Sequence, residues 1–136
     1  MIESFATHDA FLGMPIKQFL TEYWQKKPLL IRQAFPDYQA PLSPEDLAGL
    51  ACEQGPLSRL VTYQREQDTW HLRNGPFEED EFPTLGHKDW TLLVQDMDKW
   101  DGDIAQLLEA FHFLPRWRID DIMISFAVEG GSVGPH

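Results

Sequence analysis

The segment 122–128 constrains this chain most. Ile122, Ile124, Phe126 and Val128 alternate with Met123, Ser125 and Ala127 in an unbroken period of two. That is the pattern of a strand with one apolar face turned to a core. Gly130 and Gly131 break it, and only Ser132-Val133-Gly134-Pro135-His136 follows. An apolar strand placed so late needs further strands beside it, because an open apolar edge pairs with other chains. The expectation is a sheet whose remaining strands lie beyond residue 136, so that the sequence reads as cut short.

Upstream, short helices alternate with strands. Pro15 suits a first helical position, and Ile16, Phe19, Leu20, Tyr23 and Trp24 recur on one helical face. Lys26 and Lys27 complement the helix dipole and Pro28 ends the run. Residues 29–31 read as a short buried strand. Ser43, Pro44 and Asp46 approach a capping box for a second helix with its body at 47–52. Segments 57–64 and 69–72 predict a hairpin across a polar connection, followed by the turn Asn74-Gly75-Pro76. Acidic 78–81 reads as a solvated loop, and 90–94 as a strand. Asp101 or Asp103 caps a third helix carrying Ile104, Leu107, Leu108 and Phe111, stopped by Pro115. The fold class expected is α+β.

Composition narrows the function. With 136 residues there is room for one domain, and 43% apolar against 24% charged residues suits a globular one. No apolar run reaches the ~20 residues of a membrane span. The first residues lack the basic-then-apolar order of a signal peptide. The single cysteine, Cys52, suits a cytoplasmic protein, and on its helix it reads as a small core residue. A net charge of −11 disfavours direct binding to nucleic acid and favours a basic protein partner.

Phosphate-binding glycine loops, zinc-ligand spacings and the Gly-x-Ser-x-Gly elbow are all absent from the sequence. Asp120 and Asp121 are adjacent, so on a strand they face opposite ways and read as solvated. The five tryptophans, at 24, 70, 90, 100 and 117, read as core and hinge packing rather than a base-stacking platform. His136 on residue type alone is a chain end without a role. Its context says more: a strand, a glycine turn, then a His that begins another strand. Facial-triad iron sites are built from a His and a carboxylate close together on one strand plus a distant second His. Here only the first is within the sequence.

The chain resembles the N-terminal part of the bacterial ribosomal oxygenases, cupin-type JmjC proteins that hydroxylate an arginine of a large-subunit ribosomal protein. The resemblance rests on residues 23–31 (Tyr-Trp-Gln-Lys-Lys-Pro-Leu-Leu-Ile), Ser58-Arg59-Leu60-Val61, Asn74-Gly75-Pro76-Phe77 and residues 90–95. It continues through 114–121 (Leu-Pro-Arg-Trp-Arg-Ile-Asp-Asp), Ile124-Ser125-Phe126 and 130–136, in family order over nearly the whole chain. It implies that residues 1–136 are helices plus the first part of a double-stranded β-helix, ending before the barrel closes. It further implies Fe(II) as the metal, 2-oxoglutarate as cosubstrate, a basic ribosomal protein as substrate and a homodimer for the full-length protein. His136 aligns with the first His of the family's His-x-Asp pair. The Asp, the second His and the basic residue for the cosubstrate's distal carboxylate have no counterpart in the sequence. Nor do the family's dimerisation and winged-helix regions.

With 122, 124, 126 and 128 on the core side, parity puts Met123 and Ser125 on the barrel interior, where the resemblance implies 2-oxoglutarate contacts. Ser125 then donates to the cosubstrate, or else is satisfied locally in a core. The full protein is expected to be an enzyme and these residues alone inactive. Two other readings stand beside it: a non-catalytic cupin-like module that binds a basic protein, and a JmjC hydroxylase acting on a ribosomal histidine.

Overall fold

A computed structural model describes residues 2–6 and 12–135. The chain divides into two units, Met1–Ala40 and Pro41–His136. In the first, β1 (Ile2–Phe5) pairs in parallel with β2 (Leu29–Arg32), Ile2 opposite Leu29 and Phe5 opposite Arg32. Parallel partners need a crossover, and α1 (Ile16–Glu22) lies within it. Ser4 is buried and its hydroxyl donates to the Leu12 carbonyl at 2.8 Å. The sequence pattern announces β2 but not β1, whose four residues, Ile-Glu-Ser-Phe, are too few to show a period. Helix α1 also stops short of its apolar pattern. The amides of Tyr23 and Trp24 both donate to the Phe19 carbonyl, and Gln25 then takes a left-handed φ of 56° that turns the chain out of the helix. Lys26 and Lys27 therefore lie past the helix end, where the Lys27 ammonium sits 4.6 Å from the Tyr23 ring centroid.

The second unit is built on four antiparallel strands in the order β4-β3-β5-β6. The expected hairpin is β3 (Ser58–Gln64) and β4 (Thr69–Asn74), with Tyr63 opposite Trp70. Strand β5 (Trp90–Val94) lies on the other side of β3, and β6 (Ile124–Ala127) forms the edge beyond it. Leu60, Leu92 and Phe126 stand opposite one another across three strands, as do Ser58, Val94 and Ile124. Behind this face lie α2 (Pro44–Cys52), α3 (Met97–Trp100) and α4 (Gly102–Gln106). Leu47, Ala51, Leu60, Phe77, Trp90, Leu92, Val94, Met97 and Ile104 form the core. Ile122, Ile124, Phe126 and Val128 pack against it as one apolar face, and Cys52 sits at its margin, both as the sequence predicts.

Several local expectations need correction. Ser43 and Asp46 form the reciprocal capping box of α2, but the third helix is not continuous. Asp101 is its cap, accepting from the amides of Asp103 and Ile104 at 2.9 Å, and the helix tightens to a 3₁₀ turn at Leu107–Phe111. Acidic 78–81 is not a loop: Glu78 donates its amide to Glu81 at 3.1 Å and starts a 3₁₀ turn over Glu79–Leu85. Among the tryptophans Trp90 is buried, whereas Trp70, Trp100 and Trp117 are 37%, 49% and 78% exposed, so core packing does not account for those three. No helix among the described residues is long and apolar enough to cross a membrane.

Strand β6 is shorter than the 122–128 alternation because Ile122 spends its backbone groups elsewhere. Its amide donates to Asp98 Oδ1 at 3.0 Å and its carbonyl accepts from Met97 at 2.8 Å. Asp121 is no solvated residue either, since its carboxylate accepts the Asp96 amide at 2.8 Å. The Asp98 side chain is 4% exposed. The Ile122 amide, helped by the Arg116 guanidinium 3.4 Å away, holds its carboxyl below the usual carboxylate range. A carboxyl lowered by folding contributes stability above its unfolded pKa, and the contribution fades as pH falls through the folded value. Asp98→Ala is expected to cost about 1–3 kcal/mol near neutral pH, with the difference from wild type shrinking below about pH 4. Urea unfolding across that pH range measures both; a difference independent of pH would refute the ionic account.

A candidate binding groove on the open sheet face

Because strand side chains alternate, every residue of β3, β5 and β6 that does not face the core faces the opposite side. Register puts Asn74, Arg59, Leu93 and Ser125 in one row across the four strands, and Leu72, Val61, Thr91 and Ala127 in the next. No helix of the unit contributes to the groove on this second face. Its volume is about 330 Å³, and its walls are Arg59, Val61, Leu72, Leu93 and Met123 from the sheet side with Val133 and Pro135 from the C-terminal segment. That volume is at the lower end of the roughly 300–1,000 Å³ common for small-molecule sites.

The C-terminal segment reaches the groove through a braced turn. Arg65 grips Asp89 with two hydrogen bonds, Nε to Oδ2 at 2.7 Å and Nη2 to Oδ1 at 2.5 Å. The Asp89 amide in turn donates to the Glu129 carbonyl at 2.8 Å. Hydrogen bonding to Arg65 lowers the Asp89 carboxyl below its ordinary range and keeps the pair ionised. Gly130, at φ +75°, sits against this pair, where a side chain would meet both partners. At Gly131 a Cβ would overlap the Trp90 carbonyl, so the backbone lies directly on β5. Gly134 then passes the Trp70 ring, which stacks on Tyr63 at 4.5 Å.

Met123 lies on the face opposite the core, the face parity gives it, and lines the groove there. Ser125 is exposed on the same face, opposite Leu93, and among the described residues its hydroxyl makes no hydrogen bond. His136 lies outside the described residues, and its covalent neighbour Pro135 lines the groove. No group of three His, Cys, Asp or Glu side chains among the described residues can hold a metal ion. Asp120 and Asp121 contribute nothing to the groove.

Sequence reasoning did not assign Arg59 a role. Its Nη2 donates to Gln95 Oε1 at 2.8 Å and stands 4.0 Å from the Met123 sulfur. The signal was a single cation inside the apolar strand Ser58-Arg59-Leu60-Val61. Its face becomes readable only once the register with β5 and β6 is known. A separate depression of about 470 Å³, bordered by Glu109, His112 and Arg116, shares no residue with the groove.

No protein-family model matches the chain. A ribosomal protein uL16 3-hydroxylase from Escherichia coli (strain K12) is 47% identical to it over 118 residues. The chain is a homologue of part of a ribosomal oxygenase. The match takes in 87% of this chain and 31% of that protein. A probable ribosomal oxygenase from Haemophilus influenzae is 42% identical over 118 residues, 87% of this chain and 29% of its own length. Among solved structures, the Escherichia coli ribosomal oxygenase in complex with cobalt and 2-oxoglutarate matches with a TM-score of 0.83 at 45% identity. That match covers 90% of this chain and 33% of the other. The same oxygenase has been solved with cobalt and succinic acid. This homologue therefore spans about a third of its relatives' length, and its mixed helix and sheet has the fold of the corresponding part of theirs. Its four-stranded sheet is open, with β4 and β6 at the edges.

Proposed function

We propose that residues 1–136 are the opening part of a JmjC/cupin-type oxygenase domain, within an Fe(II)- and 2-oxoglutarate-dependent enzyme that hydroxylates an arginine of a large-subunit ribosomal protein. The observation that carries this reading is the match over 90% of the chain to an oxygenase solved with cobalt and 2-oxoglutarate. Cobalt(II) there stands in for iron(II), which takes similar ligands. In this reading the open sheet is the first wall of a double-stranded β-helix, and its exposed second face is the barrel interior. The groove offers apolar walls with a few polar groups, the usual make-up of a site for a small organic ligand. Ser125 donates its hydroxyl to 2-oxoglutarate, and Met123 packs along the carbon chain.

His136 is the one metal ligand this chain supplies. No group of three ligating side chains occurs among the described residues, and in this reading the remaining ligands come from outside residues 1–136. What the chain's own residues contribute is placement. The Arg65–Asp89 brace and the two glycines deliver the segment leading to His136 onto the face that carries Met123 and Ser125. A net charge of −11 suits a basic ribosomal protein as partner. A cytoplasmic enzyme that is a homodimer at full length completes the reading.

The test is mass spectrometry of ribosomal proteins from cells lacking the gene. The large-subunit protein uL16 is expected to lose the mass of one oxygen atom from an arginine-bearing peptide. Loss from a histidine would move the assignment to a histidine hydroxylase. Ribosomal proteins of unchanged mass would sink the hydroxylase reading and favour a binding module for a basic protein.

A further inference from the structure

Two buried side-chain polar atoms have no hydrogen-bond partner among the described residues, Arg59 Nε and Thr91 Oγ1, and both belong to the open face. Thr91 lies under Gly131, while Arg59 lines the groove itself. A buried donor without an acceptor is costly and rare in folded proteins, so the protein leaves this guanidinium short of partners at the side of the groove. The natural complement of an unneutralised guanidinium is an anion. Arg59 forms no ion pair with any described residue, although the chain holds 22 acidic residues against 11 Lys and Arg. Among the described residues its side-chain partners are Gln95 and the Met123 sulfur, both uncharged, which hold the guanidinium without neutralising it.

Geometry adds the shape of the anion. Arg59 and Ser125 occupy one cross-strand row with Leu93 between them. Two strand spacings separate their backbones by about 10 Å, and a long Arg side chain shortens the gap between the polar groups. A hydroxyl on one side, a guanidinium on the other and apolar Leu93 and Met123 between them suit a short carbon chain with a carboxylate at each end.

We propose that Arg59 binds a carboxylate of the dicarboxylate cosubstrate, and of the dicarboxylate product, on the open face. The inference rests on the oxygenase reading above and deepens it. The basic residue that the family resemblance assigns to the distal carboxylate lies outside this sequence, so Arg59 is an additional cation supplied by this part of the protein. Both of its side-chain contacts, to Gln95 and to the Met123 sulfur, are made through Nη2, which leaves the Nη1 donors for a carboxylate.

The experiment is calorimetric titration of 2-oxoglutarate and of succinate into the native full-length protein loaded with Co(II), comparing wild type with Arg59→Gln and Arg59→Lys. Loss of one charge-assisted pair is expected to weaken both dicarboxylates about 10-fold or more in Arg59→Gln. Arg59→Lys is expected to recover part of that loss, with Co(II) affinity and the ligand-free melting temperature near wild type in both variants. Dissociation constants within twofold of wild type in Arg59→Gln would overturn the proposal and leave the oxygenase reading intact. Unchanged constants with a markedly lower ligand-free melting temperature would also overturn it, showing that Arg59 pairs with one of the protein's own carboxylates. A wild-type protein that binds neither dicarboxylate would overturn the oxygenase reading and this inference together.

Discussion

Leu92→Ala is expected to remove about 2–5 kcal/mol of unfolding free energy, the range for deleting a buried leucine side chain from a packed core. Leu92 is 1% exposed at the centre of β5. It stands opposite Leu60 on one side and Phe126 on the other, in a core that also holds Met97 and Ile104. The surrounding strands are tied by their ladders, so they cannot collapse into the space left behind, and the cost belongs in the upper part of that range. Against a typical domain stability of about 5–15 kcal/mol, the loss is a large fraction. Urea unfolding of the native protein measures it. The matching control is Leu72→Ala, on edge strand β4, where the side chain is 56% exposed and the expected change is within about 0.5–1 kcal/mol. Equal losses at the two positions would mean that the core does not lie on the Leu60–Leu92–Phe126 side of the sheet.

The parts of this fold legible from sequence are those in which one local signal decides. Alternation in 122–128 identifies the apolar face of β6, and Ser43-Pro44 with Asp46 marks the start of α2, because both signals act within a few residues. What stayed hidden depends on partners distant in sequence. β1 becomes a strand through its ladder with β2, 27 positions away in register from Ile2 to Leu29. Helix α3 is a single turn, too short for a periodic pattern, and it exists where Asp96 and Asp98 exchange hydrogen bonds with the 121–122 backbone and side chains. The same limit applies to the groove. Parity alone puts Met123 and Ser125 on one face. That Arg59 shares their face follows from the pairing of β3 with β5 and β5 with β6, which no local signal in the sequence encodes. The Arg65–Asp89 brace is likewise a contact across 24 positions.

His136→Ala in the native full-length protein is expected to have the largest effect on activity. Changes to groups that merely orient a metal ligand typically cost 10–100-fold in affinity or activity, so removal of the ligand proposed above is expected to lower the proposed arginine hydroxylation by more than about 100-fold. The turn at Gly130 is held by an ion pair with two short hydrogen bonds, Gly131 lies against the β5 backbone, and Pro135 is part of the groove wall. On the proposed reading the groove that ends at Pro135 holds the cosubstrate, which makes the next residue in sequence the one to replace. The decisive readout is Co(II) binding by calorimetry beside the hydroxylation assay, with the ligand-free melting temperature as a check on folding. Weakened Co(II) binding at an unchanged melting temperature supports a ligand role. Full Co(II) affinity and full hydroxylation in the variant would remove His136 from the metal site and move the site's first ligand elsewhere in the protein.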